Sequence, residues 1–197
     1  MFLESTTLII PTKDRIDYLD RLFKSIKNVS IKFSEILIID SSNHKMHESI
    51  KSKFSNFKNI KVYKCKPSTS IQRNMGIANM NKNIKHVMFC DDDVIFEDNA
   101  FHNMNIFINE NPKYLGYGFN LINKESKEFL QNFKKSRFLS TNGFYNSEPG
   151  IVCENGWHTK NSNMKNNQIT MWLSTQACIF KANEIKDIKF EIDLGRY

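Results

Sequence analysis

The chain has 197 residues, 40% of them hydrophobic and 25% charged, with a formal net charge of +7. That composition fits a globular protein with a sizeable core, either one domain or one domain with an appendage. No run of about 18 apolar residues occurs and no basic-then-apolar leader opens the chain, so neither a helical membrane span nor a secretory signal is expected and cytoplasmic residence is.

The four cysteines, Cys65, Cys90, Cys153 and Cys178, lie far apart without a CxxC pair. Cys90 and Cys178 fall in apolar runs and read as small buried residues. His44 and His47 are spaced to share a helix face, but no Cys or carboxylate pair accompanies them for zinc, so they read as a surface pair. The lysines that carry the positive charge are scattered. That favours general attraction to anions over a dedicated nucleic-acid footprint.

In chain order, Thr6–Pro11 (TTLIIP) reads as a strand, and Asp14 is placed to cap a helix running to about Asn28. Ile16, Leu19, Leu22, Phe23 and Ile26 give that helix one apolar stripe. Glu35–Asp40 (EILIID) is a second strand with a carboxylate at its end, followed by a polar helix over Lys45–Phe54 and a third strand, Ile60–Cys65. PSTSIQRNMGIANMN, residues 67–81, predicts a helix capped by Ser68 or Ser70. Ile71, Met75 and Ala78 form its expected buried stripe, with Ser70, Arg73 and Asn74 on a different face near the amino end.

Val87–Cys90 predicts a buried fourth strand, and Asp91, Asp92 and Asp93 follow at once. Asp98 is placed to open an amphipathic helix bearing Phe101, Met104, Phe107 and Ile108, which ends before Pro112. Leu115–Ile122 has strand character, whereas Asn123–Lys165 is polar and weakly periodic and reads as loops over the rim of the fold. Gln168–Lys181 regains strand character and Asn183–Ile188 suggests a short helix.

This alternation predicts an α/β fold with a mostly parallel central sheet flanked by helices. Right-handed crossovers then bring Pro11–Arg15, Asp40–Ser42, the Ser70–Asn74 helix start and the Asp triplet to one rim. Three adjacent carboxylates repel one another. They make either a solvated acidic turn or, at the carboxyl end of a buried parallel strand, a site for a divalent cation.

Five segments resemble, in order, those of the inverting glycosyltransferases of family 2, with the Rossmann-like GT-A fold: IIPTKDR, LIIDSSN, STSIQRNMGI, VMFCDDDVIFED and TMWLSTQACIFKANEI. The resemblance implies a single GT-A domain over 1–197, with a nucleotide-sugar-binding half at 1–112 and an irregular acceptor-side half at 113–197. It implies metal-dependent, inverting transfer of a sugar from a nucleoside diphosphate, UDP in the first instance, to a saccharide or lipid-linked acceptor.

By the same resemblance Thr12 and Asp40 hold the base, Arg73 meets the pyrophosphate, and Asp91 contacts ribose or sugar. Asp93, with Asp91 or Asp92 beside it, ligates Mg²⁺ or Mn²⁺. Pro11, Asp14, Arg15, Ser41, Ser70, Asn74 and Asp92 complete the nucleotide-sugar set, and Trp172, Leu173 and Ser174 border the acceptor. Trp157 could stack on a sugar and His158 could be a late metal ligand; ordinary loop packing is the alternative for both.

The family's catalytic base, the Asp of a Glu-Asp pair, would fall just after Tyr197, which suggests a truncated chain; Glu191 and Asp193 are the nearest carboxylates. Ser41 stands where the family usually has an acidic residue, and Thr175-Gln176 replaces a small Gly-rich pair. Three rivals remain. A haloacid-dehalogenase-type phosphatase fits Asp91-x-Asp93-Val94 but normally opens with that motif. A sugar nucleotidyltransferase would need a Gly-rich opening loop, which PTKDR is not. The third is a domain that binds nucleotide-sugar without transferring it. The basic surface is compatible with peripheral work at the inner membrane face.

Overall fold

A computed structural model describes residues 2–122, 150–152, 158 and 165–193. The chain forms two compact units, Met1–Tyr117 with Thr175–Tyr197, and Gly118–Ser174.

The first unit is built on a six-stranded sheet: β1 Thr6–Thr12, β2 Glu35–Asp40, β3 Ile60–Lys64, β4 His86–Cys90, β5 Gly116–Gly118 and β6 Ala177–Lys181, in the order β3-β2-β1-β4-β6-β5. Every residue of β1 and β2 is buried, as expected of near-continuous apolar runs in a sheet covered on both faces. β1 runs parallel to β2 and β4, and β2 parallel to β3. β6 is antiparallel to β4, with Cys90 opposite Ala177.

The helices are α1 Ile16–Ser25, α2 His44–Phe54, α3 Thr69–Asn79, α4 Ala100–Glu110 and the short α5 Ala182–Ile185. With β2 on one side of β1 and β4 on the other, right-handed crossovers put α1 and α2 on one face and α3 on the opposite one. α1 and α2 meet through Phe23 and Phe54, with ring centroids 4.6 Å apart. α3 crosses β1 and β2 closely because Gly76 presents no side chain to Ile9.

Several expectations need correcting. Asp14 does not cap α1. It lies in the left-handed region (φ 55°), the cap position is Arg15 with no side-chain bond, and α1 stops at Ser25. Asp98 is likewise no cap, since Asn99 precedes α4. The buried face of α3 is Ser70, Gln72, Arg73, Gly76 and Ile77; Ile71 and Met75 are half-buried and Ala78 is exposed. The long strand expected over Gln168–Lys181 is confined to Ala177–Lys181, and Leu115–Ile122 contributes only Gly116–Gly118.

In the second unit, Gly150 takes φ 77° against Thr170, and the Met171 N–H donates to the Gly150 carbonyl at 2.7 Å. Val152 bridges His158, whose ring meets Trp172 edge-on at 4.4 Å. Trp157, Cys153 and most of the expected loop cover lie outside the described residues. No helix among the described residues is long and apolar enough to cross a membrane.

Candidate functional site

The carboxyl ends of β1, β2 and β4 open onto a pocket of about 330 Å³. Its walls are Pro11, Thr12, Lys13 and Arg15 after β1, Ser41 after β2, Pro67, Ser68, Thr69 and Gln72 from the start of α3, and Asp91, Asp92 and Asp93 after β4. The sheet places these groups together because parallel strands joined by right-handed crossovers all end on the same side.

The three carboxylates have different surroundings. Asp92 is buried, accepts from the Thr12 hydroxyl at 2.7 Å and meets Arg15 at 3.3 Å. Asp93, with 46% of its side chain exposed, meets the same guanidinium at 3.4 Å. Asp91 accepts from Arg73 at 2.9 Å, and its backbone N–H donates to the Gln176 carbonyl just before β6. Burial pushes the Asp91 carboxyl up and Arg73 pulls it back; burial likewise raises Asp92, opposed by the Thr12 hydroxyl and Arg15. Arg15 in turn is held more firmly protonated, chiefly by Asp92.

Arg73 was expected at a pyrophosphate. It is instead buried behind Asp91, its guanidinium 5.7 Å over the Phe190 ring, and it does not line the pocket. Asn74 also turns to Phe190: its side chain donates to the Phe190 carbonyl at 2.9 Å and accepts from the Phe190 N–H at 2.8 Å. Ser70 is buried away from the pocket. Asp40, expected to read a base, is fully buried. One oxygen accepts from the Ser42 N–H and hydroxyl, and the other meets His47 Nδ1 at 2.7 Å. His47 is therefore no surface residue, although its neighbour His44 is exposed.

Pro11, Thr12, Arg15, Ser41, Asp91, Asp92 and Asp93 of the predicted set do share the pocket; Asp14 joins it only through its neighbours. Lys13, Pro67, Ser68, Thr69 and Gln72 were missed as site residues. The Gln72 amide, buried on the sheet side of α3, donates to the Thr12 and Ile39 carbonyls at 2.8 and 2.7 Å. An amide between Ile71 and Arg73 in a helix expected to bury apolar residues was the available signal. Trp172, Leu173 and Ser174 are half-buried in the second unit, and Glu191 and Asp193 are exposed outside the pocket lining.

Cysteine chemistry is ill suited to this site. Burial holds the Cys178 thiol up to about 12 and Cys90 well above its usual value, so neither supplies a thiolate at neutral pH. Among the described residues no group of three or more His, Cys, Asp or Glu side chains is arranged to enclose a metal ion. The hard oxygens of Asp93 and its neighbours nevertheless suit a cation whose remaining ligands come from phosphate. The donor set fits a shared metal and not a protein-only cage.

Residues 7–173 match the sequence model of Glycosyl transferase family 2. Minor teichoic acid biosynthesis protein GgaA of Bacillus subtilis (strain 168) is 33% identical over 106 residues, covering 50% of this chain and 23% of that protein. S. aureus TarS 1-349 in complex with UDP superposes with a TM-score of 0.63 at 17% identity, over 97% of this chain and 51% of that one. Mannosyltransferase PcManGT from Pyrobaculum calidifontis, in complex with GDP-Man and Mn²⁺, gives 0.60 at 12% identity, over 96% and 48%. The chain thus spans about half the length of these structures and less of the curated relative. The two structures share its fold, a mostly parallel sheet of the GT-A type. By the match over most of its length, the chain belongs to glycosyltransferase family 2.

Proposed function

We propose that the pocket after β1, β2 and β4 binds a nucleoside-diphosphate sugar, with UDP the first base to test, for inverting transfer to a saccharide or lipid-linked acceptor. The carrying observation is the meeting, in one pocket, of the Asp triplet, Lys13, Arg15 and the amino end of α3. Lys13, Arg15 and the positive amino end of α3 suit a diphosphate. Thr12 and Ser41 offer small polar contacts at the β1 and β2 ends for base and ribose.

Asp93, with Asp91 or Asp92, would hold Mg²⁺ or Mn²⁺. Such an ion would supply charge neutralisation to the departing diphosphate. The chain's own part is to orient that diphosphate, with Arg15 able to leave Asp93 for phosphate because half of its side chain is exposed. In the transfer the acceptor oxygen bonds to the anomeric carbon, the bond to the diphosphate oxygen breaks, and the acceptor proton passes to a base. In this reading residues 1–112 form the donor half and 113–197 the acceptor side. GgaA, by its name, acts in teichoic acid biosynthesis, which supports a surface-polymer acceptor.

The test is the melting temperature with UDP and Mn²⁺ together against either alone. Ligand at a hundredfold over its Kd stabilises by about 2.7 kcal/mol. A metal-dependent rise in the parent that is lost in Asp93→Ala is expected. No rise with any nucleoside diphosphate rejects the donor site, and binding without transfer to any acceptor supports the binding-only domain.

A further inference from the structure

We infer that His47 is a positioning residue for the donor pocket, acting through Asp40 and Ser42 on the Lys13–Arg15 loop; the inference rests on the donor-site reading above. His47 does not itself line the pocket. Its Nδ1 meets Asp40 Oδ2 at 2.7 Å, from the first turn of α2 to the end of β2. The other Asp40 oxygen accepts from both the N–H and the hydroxyl of Ser42. That hydroxyl then accepts from the Asp14 N–H at 2.7 Å. Asp14 carries φ 55°, a left-handed conformation unfavourable for a residue with a Cβ and kept only where its surroundings hold it. Lys13 and Arg15, on either side, line the pocket.

The direction of each bond fixes the logic. Ser42 has one hydroxyl proton; Asp40 takes it, which leaves the hydroxyl lone pairs facing the Asp14 N–H. Asp40 is wholly buried, so an N–H from His47 compensates a carboxylate that water cannot reach. Removing the His47 donor frees Asp40 to draw on Ser42 differently, and the Asp14 turn loses its fixed acceptor. Asp40 is thereby part of the frame beneath Ser41 and not an open reader of the base. Ser41 itself is bound to β1, its N–H donating to the Thr12 carbonyl at 3.0 Å.

The experiment compares His47→Leu with His47→Asn, whose Nδ2 can replace the Nδ1–H donor, in two measurements. Site-resolved amide exchange at Asp14, referred to interior amides of β2, should quicken about tenfold in His47→Leu and recover in His47→Asn. The Kd for UDP with Mn²⁺ should weaken by about tenfold in His47→Leu, as for other residues that orient contact groups from behind, and recover in His47→Asn. A merely structural role would accelerate β2 and Asp14 exchange alike.

Unchanged Asp14 protection in His47→Leu overturns the inference, and so does UDP binding as tight as or tighter than the parent's, the result expected if Asp40 is released to contact the base. Should His47→Leu fail to fold, Ser42→Ala breaks the next link and must quicken Asp14 exchange while leaving His47 on Asp40. If the parent binds no nucleoside diphosphate, the donor-site reading falls and Asp14 exchange alone decides the anchor.

Discussion

Gly76→Ala tests how closely α3 must approach β1. A Cβ built on Gly76 would lie 2.4 Å from Ile9 Cγ2, 2.9 Å from its Cδ1 and 3.1 Å from its Cγ1, where ordinary contact begins at 3.4 Å. The neighbours must therefore separate by about 1 Å, yet Ile9 is fully buried. Overpacking of this kind costs about 1–3 kcal/mol, against about 0.5–1 kcal/mol that alanine gains over glycine within a helix. A net loss of about 1–2 kcal/mol corresponds, for a chain of this size, to a melting temperature lower by about 3–6 °C. The same shift carries Gln72 away from its two carbonyls and Arg73 from Asp91, so UDP binding should weaken as well. Differential scanning fluorimetry and a UDP titration read both effects. Ile9→Ala removes all three atoms in the way, so Gly76→Ala should cost far less in that background. A melting temperature equal to or above the parent's in the single variant would refute the close-approach argument.

Asp92→Asn should raise the melting temperature at neutral pH while abolishing UDP–metal binding. Burial lifts the Asp92 carboxyl above its ordinary value of 3.8, so its charge costs stability above the raised folded value and nothing below 3.8. The gain of the variant should accordingly shrink as the buffer is taken down towards pH 4, and a gain that grows on acidification contradicts the sign. Gln72→Leu removes the amide's two buried bonds, to the Thr12 and Ile39 carbonyls, an expected loss of about 1–3 kcal/mol by urea denaturation. Asn74→Ala should leave β4 intact but speed amide exchange at Phe190, because that N–H has Asn74 as its acceptor. Equal protection in parent and variant would show that ring packing on Phe89 suffices.

The sheet was legible because its strands are continuous apolar runs, and the boundaries of β2 match the EILIID stretch residue for residue. So was the pocket rim, since the Asp triplet, Thr12 and Arg15 each follow a strand directly. The face of α3 was not. An apolar periodicity selects Ile71, Met75 and Ala78, whereas the helix meets strand ends whose carbonyls accept from the amide of Gln72 and whose bulk prefers Gly76. His47 was misread for a related reason. Its partner Asp40 lies seven residues earlier, across a turn, and no helical or strand spacing relates the two. Asp14 has the side chain of a cap but contributes its backbone N–H to Ser42. In each case a polar group is committed to a neighbour that only the assembled sheet supplies.

The antiparallel placement of β6 has a consequence for how the protein is made. β4 carries the Asp triplet, and its second edge is paired by Ala177–Lys181 alone, with the Asp91 N–H served by Gln176. On a ribosome adding about 5–20 residues per second, that edge waits roughly 5–18 s after β4 emerges. Through that interval an apolar strand, Val87–Cys90, stands at an open margin where a foreign strand could pair. The acidic cluster at its end is then a charged guard of an unfinished sheet, and a chaperone that holds nascent β4 should matter more to yield than one that acts on the completed chain.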